Sequence, residues 1–464
     1  MPAPVQRNRP QLALTREIPW LVAALALGIG GGLLAPGLGG DAVTLVFGAS
    51  ALLAAAVLVM RDTRNGLYLL LLAIPLDLAG RIITQPYVVT VYHLVLLLTL
   101  VSWAIRVAQK GPDPAAEFSV VHIGAFVLLA AAVWSLPFSL DRSATTIAVI
   151  RLGFTVALFM LFVQHLRDEK TMDRVLAVLV ATSAASSLLA LVQSFVPSLI
   201  VGDPRTLGIG LDVVSRPAAL FSDPNYLAGF LSVAIVAAFA RAAYAKNLRG
   251  AVPWLAGALL SSAGLLVTLS RTGWVGIAVG LLVAALTAPR RRRAKLLVSL
   301  AVALTLVVAL APGLVLSRLE SIGDVQTDAS ISTRWLMFGS TVEMFQDHWV
   351  FGTGLDAYDE AYPAYRRLGA LRDILKPHEL PLALPAEMGI PGLIGELLII
   401  GGVALELVRH RHQGWTAWQS VGVTGLVALL VQSLFQYYLY FEYLWVFLAL
   451  TVAAMRLARP AREV

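Results

Sequence analysis

The sequence predicts an all-α polytopic membrane protein, a single integral membrane domain over residues 1–464 with about 12–14 transmembrane helices and a large periplasmic loop containing short helices. Three observations predict it. The 464 residues are 58% hydrophobic and 14% charged, whereas a soluble domain carries about a quarter charged residues. Apolar runs near spanning length recur from end to end, so the usual division of such a length into about three soluble domains does not apply. Basic residues collect in alternate gaps between those runs, as the positive-inside rule requires.

A spanning helix needs about 20 apolar residues, and runs of this kind lie near 18–38, 43–60, 66–79, 88–106, 119–138, 144–165, 173–196, 225–243, 251–269, 273–288, 295–315, 387–407, 416–435 and 442–457. Arg7, Arg9 and Arg16 precede the first. That run is long and others follow it, so it reads as a span and not as a cleavable signal. The run 66–79 is short and holds Asp77, which suggests a bent or re-entrant segment. Alternate gaps carry Arg61 and Arg64, Arg106 and Lys110, Arg167 to Arg174, Lys246 and Arg249, Arg290 to Lys295, Arg409 and Arg411, and Arg456 to Arg462. That side, with both termini, is expected to be cytoplasmic. The net charge of +7 is then explained by topology, and no nucleic acid partner is expected. With no cysteine, disulfides, thiolate metal sites and thiol nucleophiles are excluded.

Two gaps on the opposite, periplasmic side are long: 197–224 and 316–386, the latter about 70 residues, a length usually tied to function. In the larger one Ser332 is placed to cap a helix, followed by Trp335, Phe338, Val342 and Phe345 on one face. This predicts an amphipathic helix on the bundle or the membrane surface.

The residues that stand out are cations on that side. Arg216 precedes Phe221-Ser222-Asp223-Pro224-Asn225, Arg271 follows Ser270 at a tight turn between spans, Arg334 lies in the amphipathic helix, and His378 lies near the loop's end. Each arginine has two readings, a headgroup anchor or a functional cation held close to hydrocarbon. Arg151, inside a span, is either functional or paired with a carboxylate such as Asp77. Asp223 is expected to cap the next helix, with Pro224 at its first position. A neutral imidazole such as that of His378 takes a proton from a hydroxyl near neutral pH, and the other reading is a hydrogen-bonded loop histidine.

These elements together resemble the O-antigen ligase/polymerase family. Phe221 with Pro224-Asn225, Ser270-Arg271, Arg334-Trp335, Gly352-Thr353-Gly354-Leu355, and His378, Glu379, Leu382, Glu387 and Gly389 fall in the family's order between Arg216 and Gly392. One departure is Glu379, where the family often has Asn after the histidine. The resemblance implies a metal-independent, inverting glycosyltransferase without cofactor. It would move a glycan from an undecaprenyl diphosphate carrier to a hydroxyl acceptor, either lipid A core or a second lipid-linked glycan. It implies Arg216 and Arg271 on the diphosphate, and His378, Arg334 and Glu387 at the reacting centre, with Glu387 orienting the imidazole or capping a helix. Trp335, Glu379 and Asn225 would contact acceptor or glycan. A repeat-unit or exopolysaccharide polymerase is the nearest alternative function. A lipid-linked glycan transporter or flippase is the alternative from another class, and it would more often show two related halves.

Overall fold

The computed structural model describes residues 41–85, 87–111, 118–201, 205–209, 212–294, 296–297, 329–370, 377–410 and 414–458. The candidate run 18–38, and all of 295–315 except residues 296–297, lie outside them. Every other candidate coincides with a helix: α1 Asp41–Arg61, α2 Arg64–Ala73, α3 Val91–Lys110, α4 Val120–Ser135, α5 Arg142–His165, α6 Glu169–Phe195, α7 Pro224–Ala243, α8 Leu248–Thr268, α9 Arg271–Thr287, α12 Leu380–His410, α13 Ala417–Ser433 and α14 Glu442–Leu457. Between α9 and α12 lie α10, Ala329–Asp347, and α11, Tyr358–Tyr365. Among the described residues seven helices are long and apolar enough to cross a membrane. The only strands described are two short antiparallel pairs, β1 Arg81–Ile83 with β2 Val89–Thr90 and β3 Arg205–Ile209 with β4 Asp212–Arg216. The all-α polytopic expectation is met.

Two units divide the chain. In the first, ending at Leu70 and including Leu94–Gly111, the buried hydroxyls of Thr63 and Ser102 lie 2.9 Å apart. The second comprises Leu71–His93 and Pro112–Val464. In it α7 is buried among α8, α9 and α13, and α12 lies along α4. Small residues permit that last approach: a Cβ on Gly395 would sit 2.8 Å from the Leu128 nitrogen, and one on Gly124 would sit 2.7 Å from the Ile399 nitrogen. Close backbone contact at small residues is how helices associate where lipid supplies no hydrophobic drive. At one end of the bundle Arg241 Nε donates to Asp173 Oδ1 at 2.8 Å. The helices alternate in direction, so the starts of α7, α9 and α14 and the end of α8 lie at the opposite end.

Three sequence expectations need correction. The run 66–79 stops sooner: α2 tightens into a 3-10 turn at Ile74–Leu76 around Pro75, and Asp77 follows it. α10 begins at Ala329, so Ser332 is inside the helix and does not cap it. Its buried face is Met337, Ser340, Thr341 and Met344, packed on Tyr358, Tyr362 and Ala386. Trp335 and Phe338 are 64% and 44% exposed. The predicted face is offset: Met337 and Met344 pack on α11, and of the four residues expected there Phe345 packs against them from the edge.

α12 begins at Leu380, before the expected 387, and breaks at Gly389 (φ 63°, ψ −158°). Pro381 occupies the first turn, and Pro391 lies in the first turn after the break, positions where a missing N–H costs least.

Candidate functional site

The first cluster is built at the start of α7. Asp223 Oδ1 accepts the Asn225 N–H at 2.7 Å, with Pro224 at the first helical position, as the sequence predicts. Upstream, Ala219 takes a left-handed conformation (φ 51°), costly for a residue with a Cβ. Buried Gln193 holds it, donating to its carbonyl at 3.0 Å and accepting its N–H at 2.9 Å. The turn fixed in this way follows Arg216 at the end of β4. Arg216 Nε donates to the Thr268 carbonyl at 2.9 Å, and Nη2 donates to Asn225 Oδ1 at 3.0 Å. Leu269, also left-handed at φ 54°, links α8 to Ser270, the cap of α9. Ser270 Oγ donates to the same Asn225 Oδ1 at 2.9 Å. Asn225 therefore joins Arg216 to Ser270, and the Ser270-Arg271 pair begins α9. Two helix N-termini meet here beside the Arg216 guanidinium, with Arg271 the first residue of α9, an arrangement that suits an anion. The Asn225 amide oxygen positions both Arg216 and Ser270.

The second cluster lies between α10 and the start of α12. Glu379 is 6% exposed. Its Oε1 lies 2.7 Å from Thr341 Oγ1, itself 2.7 Å from Tyr358 Oη. Its Oε2 accepts the His378 N–H at 3.2 Å. Burial pushes the Glu379 carboxyl above the usual carboxylate range, and the Thr341 bond and the Arg334 charge oppose that rise. The Glu379 carboxyl faces inward and fastens the backbone of His378. The half-buried His378 imidazole is pushed down to about 4, first by burial and then by the positive charge of Arg334. It is neutral at pH 7, as a proton acceptor must be. Trp335 is solvent- or lipid-facing, its ring 6.0 Å from that of Phe338.

The glycine turn fixes this cluster to the bundle. Thr353 N–H donates to the Ala386 carbonyl at 3.1 Å, and Gly354 N–H donates to that of Glu387 at 2.9 Å. Gly352 (φ 71°) lies so close to the Glu387 backbone that any Cβ would collide with it. The Gly-Thr-Gly-Leu and Glu-Met-Gly elements are thus one joint. Glu387 is buried and accepts from Tyr437 Oη at 2.6 Å.

Next to the first cluster lies a cavity of about 450 Å³, lined among others by Asp77, Arg81, Tyr87, Arg151, Ser222, Tyr226 and Glu442. Arg151 pairs with Asp356 (3.8 Å) and lies over the Tyr440 ring at 4.1 Å. Asp77, the partner suggested by sequence, instead pairs with Arg81 at 3.5 Å and accepts the Ser222 N–H at 3.0 Å. Tyr226 is within electrostatic reach of Asp223 and Arg151, and Tyr440 of Arg151, Asp356 and Glu387. Of the four elements singled out in the sequence, Arg216 and Ser270-Arg271 are joined through Asn225, and Arg334 acts electrostatically on His378. Sequence reasoning missed Tyr87, Tyr226, Tyr440 and Glu442. The available signal was the density of Tyr and Glu in 437–443, at the head of the last apolar run.

Residues 256–396 match the O-antigen ligase family model. The matched segment covers Ser270-Arg271, Arg334-Trp335, the glycine turn and His378 to Gly392. The resemblance read from the sequence is borne out. Arg216 and Asn225 precede the matched segment, and their tie to it is structural, through Thr268 and Ser270. A search of the curated proteins gives no match.

Proposed function

We propose that the protein is an O-antigen ligase-like glycosyltransferase of the bacterial inner membrane, with its active site on the periplasmic side and both termini in the cytoplasm. It takes a glycan from undecaprenyl diphosphate and joins it to a hydroxyl of lipid A core. The observation that carries this reading is the Arg216–Asn225–Ser270 unit, which ties Arg216 to the starts of α7 and α9, the second of which begins with Arg271. A departing diphosphate needs such positive charge, and arginine grips phosphate oxygens through a fork that stays protonated. The acceptor oxygen bonds to the anomeric carbon as the bond from that carbon to the diphosphate oxygen breaks, with inversion. The hydroxyl proton passes to the neutral imidazole of His378, and undecaprenyl diphosphate leaves. Arg334 and Glu387 shape the setting of that imidazole, and Trp335 offers an exposed apolar face to the acceptor. The reaction needs no metal.

The test is transfer by the purified protein, with undecaprenyl-diphosphate glycan as donor and either lipid A core or a second lipid-linked glycan as acceptor. A product on lipid A core is expected. Elongation of the lipid-linked glycan alone would make the protein a polymerase. Movement of the donor between leaflets with no new glycosidic bond would make it a transporter.

A further inference from the structure

The two clusters account for the diphosphate and the acceptor hydroxyl, yet neither uses the cavity lined by Arg151, Tyr226 and Glu442. Its lining has a definite chemistry. Asp77 and Arg81 are paired at 3.5 Å, and the guanidinium of Arg151 is shared between Asp356 and the face of Tyr440. The wall itself holds two acids, Asp77 and Glu442, and two bases, Arg81 and Arg151, so the cavity does not select a dianion. Tyr87 Oη lies 2.8 Å from His93 Nε2. Charged and phenolic groups stand beside the aromatic walls of Tyr226 and Tyr440, and donors and acceptors alternate with apolar rings. A neutral polyol with a stackable ring face is matched by such a surface. The volume of about 450 Å³ falls in the ordinary range of about 300–1,000 Å³ for small-molecule sites.

Its position names the sugar. Phe221, Ser222 and Tyr226 line the cavity and flank Asn225, the residue that fixes Arg216. The wall is attached to this segment at two points: Ser222 N–H donates to Asp77 at 3.0 Å, and Leu78 N–H donates to the Leu220 carbonyl at 2.9 Å. The Tyr438 hydroxyl donates to the Asn225 carbonyl at 3.1 Å, with its ring 6.0 Å from that of Tyr226. A diphosphate held at Arg216 is therefore next to the cavity wall, because Asn225, which bonds Arg216, is followed by the lining residue Tyr226.

We infer that this cavity is the subsite for the sugar bonded directly to the donor's diphosphate, with Arg151, Tyr87 and Glu442 reading its hydroxyls. The inference rests on the proposed use of a lipid-diphosphate donor. Glu442→Gln and Arg151→Lys, both close in shape to the native residue, are the test variants. Binding is measured on the full chain in lipid nanodiscs with two probes, bare polyprenyl diphosphate and polyprenyl diphosphate carrying one N-acetylhexosamine. The wild type should bind the sugar-bearing probe more tightly. Each variant should lose about tenfold of that preference, with affinity for the bare probe unchanged. Equal affinity of the wild type for both probes would overturn the subsite, as would variants that weaken both probes alike. Competition by free acceptor saccharide that depends on Glu442 would give the cavity to the acceptor instead. Failure of the wild type to bind the bare probe, with no effect of Arg216→Ala, would strike the diphosphate reading itself and is read separately.

Discussion

His378→Ala is expected to lower the transfer rate by about 10²–10⁴-fold, the usual contribution of a positioned general base, with the protein still folded and the donor still bound. The side chain is half-buried at the start of α12, and its backbone is held by Glu379, not by the imidazole. Removing the ring therefore leaves the Thr341–Glu379–Tyr358 network in place. The wild-type pH profile gives a second signature. Burial and Arg334 lower the imidazole to about 4, so the neutral, proton-accepting form persists far below neutrality. The rate should stay level as the pH falls through 6.5 and drop only as it nears about 4. Arg334→Ala removes one of the two causes, so the acid limb should move to higher pH. A limb already descending near the ordinary histidine value in the wild type would show that the imidazole is not the base.

Arg216→Ala and Arg271→Ala are each expected to reduce transfer by about 10²–10³-fold, the scale of removing one preorganised group from developing negative charge. Arg216→Lys should not restore the rate. Arg216 donates in two directions at once, from Nε to the Thr268 carbonyl and from Nη2 to Asn225 Oδ1, and a single ammonium cannot reproduce that fork. Asn225→Ala should act in the same direction with a smaller loss, since it releases both Arg216 and Ser270. Steady-state kinetics with varied donor separates the effects: loss concentrated in kcat marks stabilisation of the leaving group, and loss confined to KM marks donor capture alone.

Much of the fold was legible because spanning helices are dictated by length and polarity. The starts of α7 and α9 were legible for a local reason, since Asp223 and Ser270 cap them and Pro224 fits the first turn. The motif residues could be named, but the inward turn of Glu379 could not: it depends on Thr341 and Tyr358, far away in the chain. The partner of Arg151 was unreadable for the same reason, because Asp356 reaches it from the glycine turn and Asp77 is taken by Arg81. The start of α12 was hidden by prolines that read as loop, though Pro381 and Pro391 sit where a helix tolerates them. The cavity had no linear signature, because its walls come from segments between Ile74 and Glu442.

The central claim is that the Arg216–Arg271 cluster and the His378 cluster face the periplasm together. The chain has no cysteine, so single cysteines can be introduced beside each cluster, at Ser222, Thr272 and Pro377, and in the basic gaps at Lys246 and Arg291. Labelling of intact spheroplasts with a membrane-impermeant maleimide reads their sides. Cysteines at 222, 272 and 377 should label from outside, and those at 246 and 291 only after the membrane is opened. Labelling of 272 and 377 from opposite sides would contradict the account.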